Sequence, residues 1–166
     1  MQGLEKLGFA HDEAGYYTTR LVSDEDVLQL GAAIFERRFQ RNSSLNNAQD
    51  AAEFLRHRLA LREHEVFVII WLDYRHRFIA YDELFLGTLG GTAVYPREVV
   101  KTGLARNAAA AIVAHNHPSG IPEPSRADET LTERLKTALD IVDIRLLDHL
   151  IVAGEGFVSF AERGLL

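Results

Sequence analysis

His115-Asn116-His117-Pro118, followed by Ser125 and Asp128, gathers two imidazoles, a hydroxyl and a carboxylate in one short stretch with the spacing His-x-His-x7-Ser-x-x-Asp. These are the ligand types of a catalytic zinc site, which uses three protein ligands and keeps a position open for water. Residues two apart on a strand point to the same side, so His115 and His117 at a strand end project together while Asn116 points away. Pro118 cannot continue a ladder, and the strand must stop there. Asp128, one turn into the helix that follows, can approach the same point. Imidazole and carboxylate suit zinc, although the set alone admits another divalent metal. Ser125-x-x-Asp128 also has the form of a helix capping box, and one serine can serve both as cap and as site residue.

Hydrolysis at such a site needs a base, because a carboxylate must take the proton of the attacking water and pass it to the leaving group. Glu63, Glu65 and Glu83 are the candidates, and spacing alone does not choose among them. Glu65 opens an apolar strand, while Glu83 lies on the next one. The letters His-Asn-His do not indicate the nuclease class of that name, whose named residues are dispersed along the chain. A zinc deaminase needs His-x-Glu and paired cysteines, and neither is present.

The elements that must position these groups can be read from pattern. Residues 1–22 look like a loosely ordered lead-in. Ser23 caps a helix to about Gln40, with apolar residues at helical spacing. Asn42-Ser43-Ser44 breaks it, and Asn46 or Asn47 caps a second helix through Leu59. Val66–Leu72 is continuously apolar and reads as a strand buried on both faces. Asp73–His76 is a hairpin turn and Arg77–Leu86 the returning strand, followed by glycines and a short strand over Thr92–Tyr95. Pro96 fits the first turn of a helix to Arg106. Ala108–Ala114 reads as a central strand ending at the histidine pair. Ser125 caps a long helix to about Asp140, Val142–Ala153 is another strand, Gly154-Glu155-Gly156 a tight turn and Phe157–Phe160 the last strand. Helices interleaved with hairpins and crossovers imply an α/β (mixed α+β) chain whose mixed sheet is packed by helices. The boundary falls at the Asn42–Asn47 break, giving a helical lead-in over 1–43 and a main domain over 44–166.

Composition narrows the chemistry. The 166 residues are enough for one domain with a core. There are no cysteines, so disulfides, iron–sulfur clusters and Cys-type zinc sites are excluded. A formal net charge of −6 argues against sequence-independent nucleic-acid binding. Arg37, Arg38 and Arg41 read as a solvated helix face. No apolar run reaches membrane-span length, the first fifteen residues do not read as a signal peptide, and the expected location is the cytoplasm.

The motif resembles the JAMM signature of MPN-domain metallopeptidases. The text around it resembles the RadC-like (JAB) branch: Glu65-Val66-Phe67, Leu72-Asp73, Leu84–Thr88, Tyr95-Pro96-Arg97-Glu98, Asn107–Ala110, Ala114–Gly120, Asp148–Val152 and Ser159–Gly164. This resemblance covers about residues 44–166. It implies an MPN fold, a curved mixed sheet with helices packed on it. It further implies one zinc per chain on His115, His117 and Asp128, Glu65 as general base, and Ser125 supporting the oxyanion or the water. The implied reaction is hydrolysis of a peptide or isopeptide bond in a protein or peptide substrate. Asn116 stands where many JAMM peptidases carry Ser or Thr, as in RadC relatives. Longer RadC proteins also carry a helix-hairpin-helix-type region, whereas residues 1–43 offer only a short helical lead-in, as in the short RadC-like proteins of mobile elements and prophages. A rival expectation is a non-catalytic MPN-fold interaction module working with a mobile-element or DNA-repair-associated partner. Oligomeric state is not legible.

Overall fold

The computed structural model describes residues 48–59, 62–88, 92–154 and 156–166, together with scattered positions between 10 and 34. Near the N-terminus, β1 (Ala10–His11) pairs antiparallel with β2 (Tyr16–Tyr17). No sign of this pairing is legible in the sequence, because two-residue strands are too short to leave a period-two pattern. Ser23 caps a helical turn as expected, with its hydroxyl accepting from the Asp26 N–H at 3.2 Å. Helical positions continue at intervals from Asp24 to Ile34. The end of that helix, expected at about Gln40, the Arg37–Arg41 cluster and the break at 42–47 lie outside the described residues.

The main body is one five-stranded mixed sheet in the order β4-β3-β5-β6-β7. Its strands are β3 (Val66–Leu72), β4 (Phe78–Leu86), β5 (Ala110–Asn116), β6 (Arg145–Ala153) and β7 (Gly156–Ser159). The helices are α1 (Ala48–Leu59), α2 (Pro96–Ala105) and α3 (Arg126–Asp140). Only β5 and β6 run parallel, and α3 is the crossover between them. Every residue of β3 and of β5 is buried, which is why both read as apolar runs without alternation.

Alternation nevertheless sorts the two faces. Val66, Val68, Ile70 and Leu72 join Ala110, Ile112 and Ala114 under α1, whose Phe54, Leu55 and Leu59 complete that layer. Phe67, Ile69 and Trp71 join Ala111 and Val113 on the opposite face, with Val99 of α2 and Leu135 and Leu139 of α3. Gly103 lets α2 approach: a Cβ there would lie 2.9 Å from the Trp71 ring and 2.8 Å from Ile144.

Several bounds differ from the sequence expectation. β5 runs two residues further than Ala114, because His115 and Asn116 keep their ladder to Ile151 and Val152 of β6. β6 begins at Arg145, since Asp143 adopts a left-handed φ of 58° in the turn that leaves α3. Thr92–Tyr95 forms no strand. Its Thr92 hydroxyl instead donates to the Glu65 carbonyl at 3.3 Å, beside the Gly87 N–H at 2.8 Å.

Candidate metal centre

β5 ends where the two faces diverge in chemistry. His115, at 1% exposure, continues the Ala111–Val113 side towards α3, and Asn116, at 4%, faces α1. His117 follows just past the strand and shares the side of His115. Its Nδ1 lies 2.8 Å from the Ile121 carbonyl, which can only accept. The proton of a neutral His117 ring is therefore on Nδ1, and the Nε2 lone pair is aimed elsewhere. It is aimed at the Nε2 of His115, 3.0 Å away.

Asp128 comes from the first turn of α3 and uses its two oxygens differently. Oδ2 accepts from the Ser125 N–H at 2.8 Å and from the Ser125 hydroxyl at 2.6 Å, while Ser125 Oγ accepts the Asp128 N–H at 3.2 Å. This is the capping box that the spacing suggested. Oδ1 is left over and sits 3.4 Å from His115 Nε2. Ligand atoms of His115, His117 and Asp128 all lie within 4.8 Å of one another, the one such group of three among the described residues. Zinc–ligand bonds of about 2.0–2.1 Å in a tetrahedron put neighbouring ligand atoms about 3.3 Å apart. The separations of 3.0 and 3.4 Å match that edge. The residues can therefore hold a divalent metal ion. Burial pushes the His115 imidazole down to about 4, against the pull of Asp128, so it stays unprotonated and able to ligate near neutrality.

The three ligands line a cavity of about 430 Å³ with Glu65, Phe67, Ser125, Thr92 and Arg134 among its other walls. The register Phe67↔His115 in the antiparallel β3–β5 pair, extended by two residues, sets Glu65 opposite His117. Burial raises the Glu65 carboxyl above its ordinary value, offset in part by its hydrogen bond with Thr92. Glu83 is elsewhere. It forks onto Arg62 at 2.8 and 2.9 Å and accepts the Tyr81 hydroxyl at 3.1 Å, on the α1 side of the sheet. Glu63 is exposed and does not line the cavity.

Two further residues were not singled out by spacing. Asn116 does point away from the imidazoles, and it is far from idle. Its Oδ1 accepts the Val66 N–H at 2.8 Å and its Nδ2 donates to the His64 carbonyl at 3.1 Å. The amide thus bolts the segment bearing Glu65 to the strand bearing the histidines. His149 of β6, 0% exposed, places its Nε2 2.9 Å from His115 Nδ1 and its Nδ1 2.6 Å from Thr132 Oγ1. Burial holds its imidazole well below the ordinary range. A lone histidine inside an apolar strand was the available signal, but its partner is distant in sequence and only the parallel β5–β6 pairing brings the two together.

A family model described as RadC-like JAB domain matches residues 45–165. The chain belongs to the RadC-like JAB family. Its five-stranded mixed sheet packed by helices accords with the JAB/MPN fold of that family. A UPF0758 protein of Vibrio cholerae is 50% identical to this RadC-like chain over 151 residues, covering 91% of the chain and 95% of the relative. UPF0758 proteins of Methylibium petroleiphilum and Leptothrix cholodnii are each 54% identical over 140 residues, or 84% of the chain. The match spans 63% of the length of those two relatives. Among the described residues no helix is long and apolar enough to cross a membrane.

Proposed function

We propose that this RadC-like domain is a zinc-dependent hydrolase that cleaves a peptide or isopeptide bond, with one ion per chain. The observation that carries the reading is the convergence of His115 Nε2, His117 Nε2 and Asp128 Oδ1 on a cavity that Glu65 also lines. An ion held there supplies a Lewis acid that acidifies water and polarises a carbonyl. The remaining work falls to the chain's own residues. Glu65, with its raised proton affinity, takes the proton of the attacking water and returns it to the departing amine nitrogen. The C–O bond forms first, and the C–N bond breaks once the nitrogen has received that proton. Asn116 keeps Glu65 in register with the ligands, and the apolar Phe67 and Leu131 exclude solvent from one side. Ser125 fixes Asp128 so that Oδ1 faces inward. To support an oxyanion as well, its hydroxyl must turn from Asp128 Oδ2 to the substrate oxygen.

The test combines metal analysis of purified protein with a peptide and isopeptide cleavage panel. Glu65→Gln is expected to keep stoichiometric zinc and lose turnover, and His117→Ala to lose both. Unchanged metal content in His117→Ala overturns the site. Stoichiometric zinc without cleavage of any substrate would instead favour a non-catalytic interaction module on the same fold.

A further inference from the structure

We propose that His149 and Thr132 are positioning residues for His115, linked to it by a hydrogen-bond chain with two opposite settings, of which only one bares His115 Nε2 for a metal. This rests on reading His115, His117 and Asp128 as the metal ligands.

The chain begins at a hydroxyl with two choices. Thr132 Oγ1 lies 2.6 Å from the Asp128 carbonyl and 2.6 Å from His149 Nδ1. It has one proton and can donate to only one of them. The His149 ring is clamped by stacking on Phe160 at 4.7 Å and by the edge contact with Phe67 at 5.9 Å. It therefore answers by moving its N–H from one nitrogen to the other, not by swinging away.

In the first setting Thr132 donates to His149 Nδ1, His149 Nε2–H donates to His115 Nδ1, and His115 Nε2–H donates to His117 Nε2. Every contact of 2.6, 2.9 and 3.0 Å is then a hydrogen bond, but no lone pair of His115 faces the cavity. In the second setting Thr132 donates to the Asp128 carbonyl, His149 Nδ1–H donates to Thr132, and His115 Nδ1–H donates to His149 Nε2. His115 Nε2 is then bare beside the bare Nε2 of His117, which Ile121 fixes in both settings. Two lone pairs 3.0 Å apart repel unless a cation lies between them. Reversing only one ring sets N–H against N–H or lone pair against lone pair in a buried place, so the two rings switch together. Each ring carries one proton in either setting, and only its position differs.

The first setting satisfies the chain without a metal, and the second satisfies it with one. The Asp128 carbonyl is the stop that makes the second possible, because it takes the Thr132 proton when His149 turns donor. The same residue that supplies the carboxylate ligand thus supplies the acceptor at the far end of the chain.

The experiment needs no variant to begin. Ring nitrogens of histidine labelled with ¹⁵N are read by NMR in chelator-stripped protein and again with one equivalent of zinc. The expected result is Nε2–H on His115 and His149 before zinc, Nδ1–H on both after it, and Nδ1–H on His117 throughout. Finding His115 and His149 as Nδ1–H before zinc overturns the two-setting chain. Thr132→Val, which leaves His149 Nδ1–H without an acceptor, is expected to weaken zinc binding about 10–100-fold in a competition titration, with Thr132→Ser restoring it. Native affinity in Thr132→Val overturns the role of the hydroxyl. Loss of zinc binding in His117→Ala together with native affinity in Thr132→Val would leave the metal site standing and remove only this inference. Failure of the native protein to bind zinc removes both.

Discussion

Among the described residues the same cap occurs twice, and one of the two stands in the candidate metal centre. Ser23 and Asp26 repeat the bonds of Ser125 and Asp128: the serine N–H reaches the aspartate Oδ2 at 2.8 Å in both, and the aspartate N–H reaches the serine hydroxyl at 3.2 Å in both. Each satisfies a donor at a helix start that would otherwise lack a partner. What separates them is tertiary company. Among the described residues, Asp128 has its second carboxylate oxygen 3.4 Å from a buried imidazole, and there three ligand groups converge. A capping aspartate is a good candidate for recruitment as a ligand because one of its oxygens is already tied down and the other is held in a fixed direction.

The contrast can be broken most decisively at the aspartates. Asp128→Asn is expected to lose stoichiometric metal and with it any turnover, whereas Asp26→Asn leaves metal content at the native level; elemental analysis of both proteins decides it. Equal metal content in the two variants would mean that the second cap is only a cap. The serines give a smaller effect. Ser125→Ala and Ser23→Ala should each cost about 1 kcal/mol of stability through the lost cap, measured by urea denaturation. Only Ser125→Ala should also weaken zinc affinity, because Asp128 then loses the bond that orients it. Smallest and most graded is the response to pH. The unfolded chain takes a proton on His115 near 6.5, while the folded ring resists it down to about 4. Metal-free protein should therefore lose stability as pH falls from 6.5 towards 4 and show no His115 contribution above 6.5. A melting temperature flat across that window in metal-free protein would contradict the buried, neutral ring. For turnover the sign is set by Glu65, whose raised carboxyl must be ionised to act, so activity should fall on acidification at a pH above that of an ordinary glutamate.

Much of the site could be read from the sequence because its ligands are close together in the chain. His115, His117, Ser125 and Asp128 are joined by a strand end, a proline and a cap, each a local rule with a local signature. The fold class was readable for a similar reason, since buried strands and a capped helix mark themselves. Residues whose partners lie far along the chain escaped. His149 meets His115 only through the parallel pairing of β5 and β6, which no local pattern specifies. Asn116 was correctly turned away from the imidazoles by strand alternation, yet its work on the segment before β3 depends on the β3–β5 pairing. The placement of Glu65 at the cavity and of Glu83 away from it is likewise a matter of sheet face. Strand alternation offered that distinction, but it became decisive only once the register was known. The differences at the end of β5 and at Thr92–Tyr95 arise where ladder partners, not propensity, decide where a strand stops, and that at β6 where a left-handed turn delays its start.

The parallel pairing of β5 with β6 across α3 has a consequence for assembly. Both histidine ligands, the aspartate, its serine, Thr132 and His149 all lie between the start of β5 and the end of β6, in one strand–helix–strand unit. Glu65 comes from outside that unit, just before β3, which pairs antiparallel with the other edge of β5. A partly folded chain that has formed this unit alone would already possess the candidate ligand groups and lack Glu65. On the proposed function, an ion held by that unit would not suffice for turnover until β3 has paired with β5.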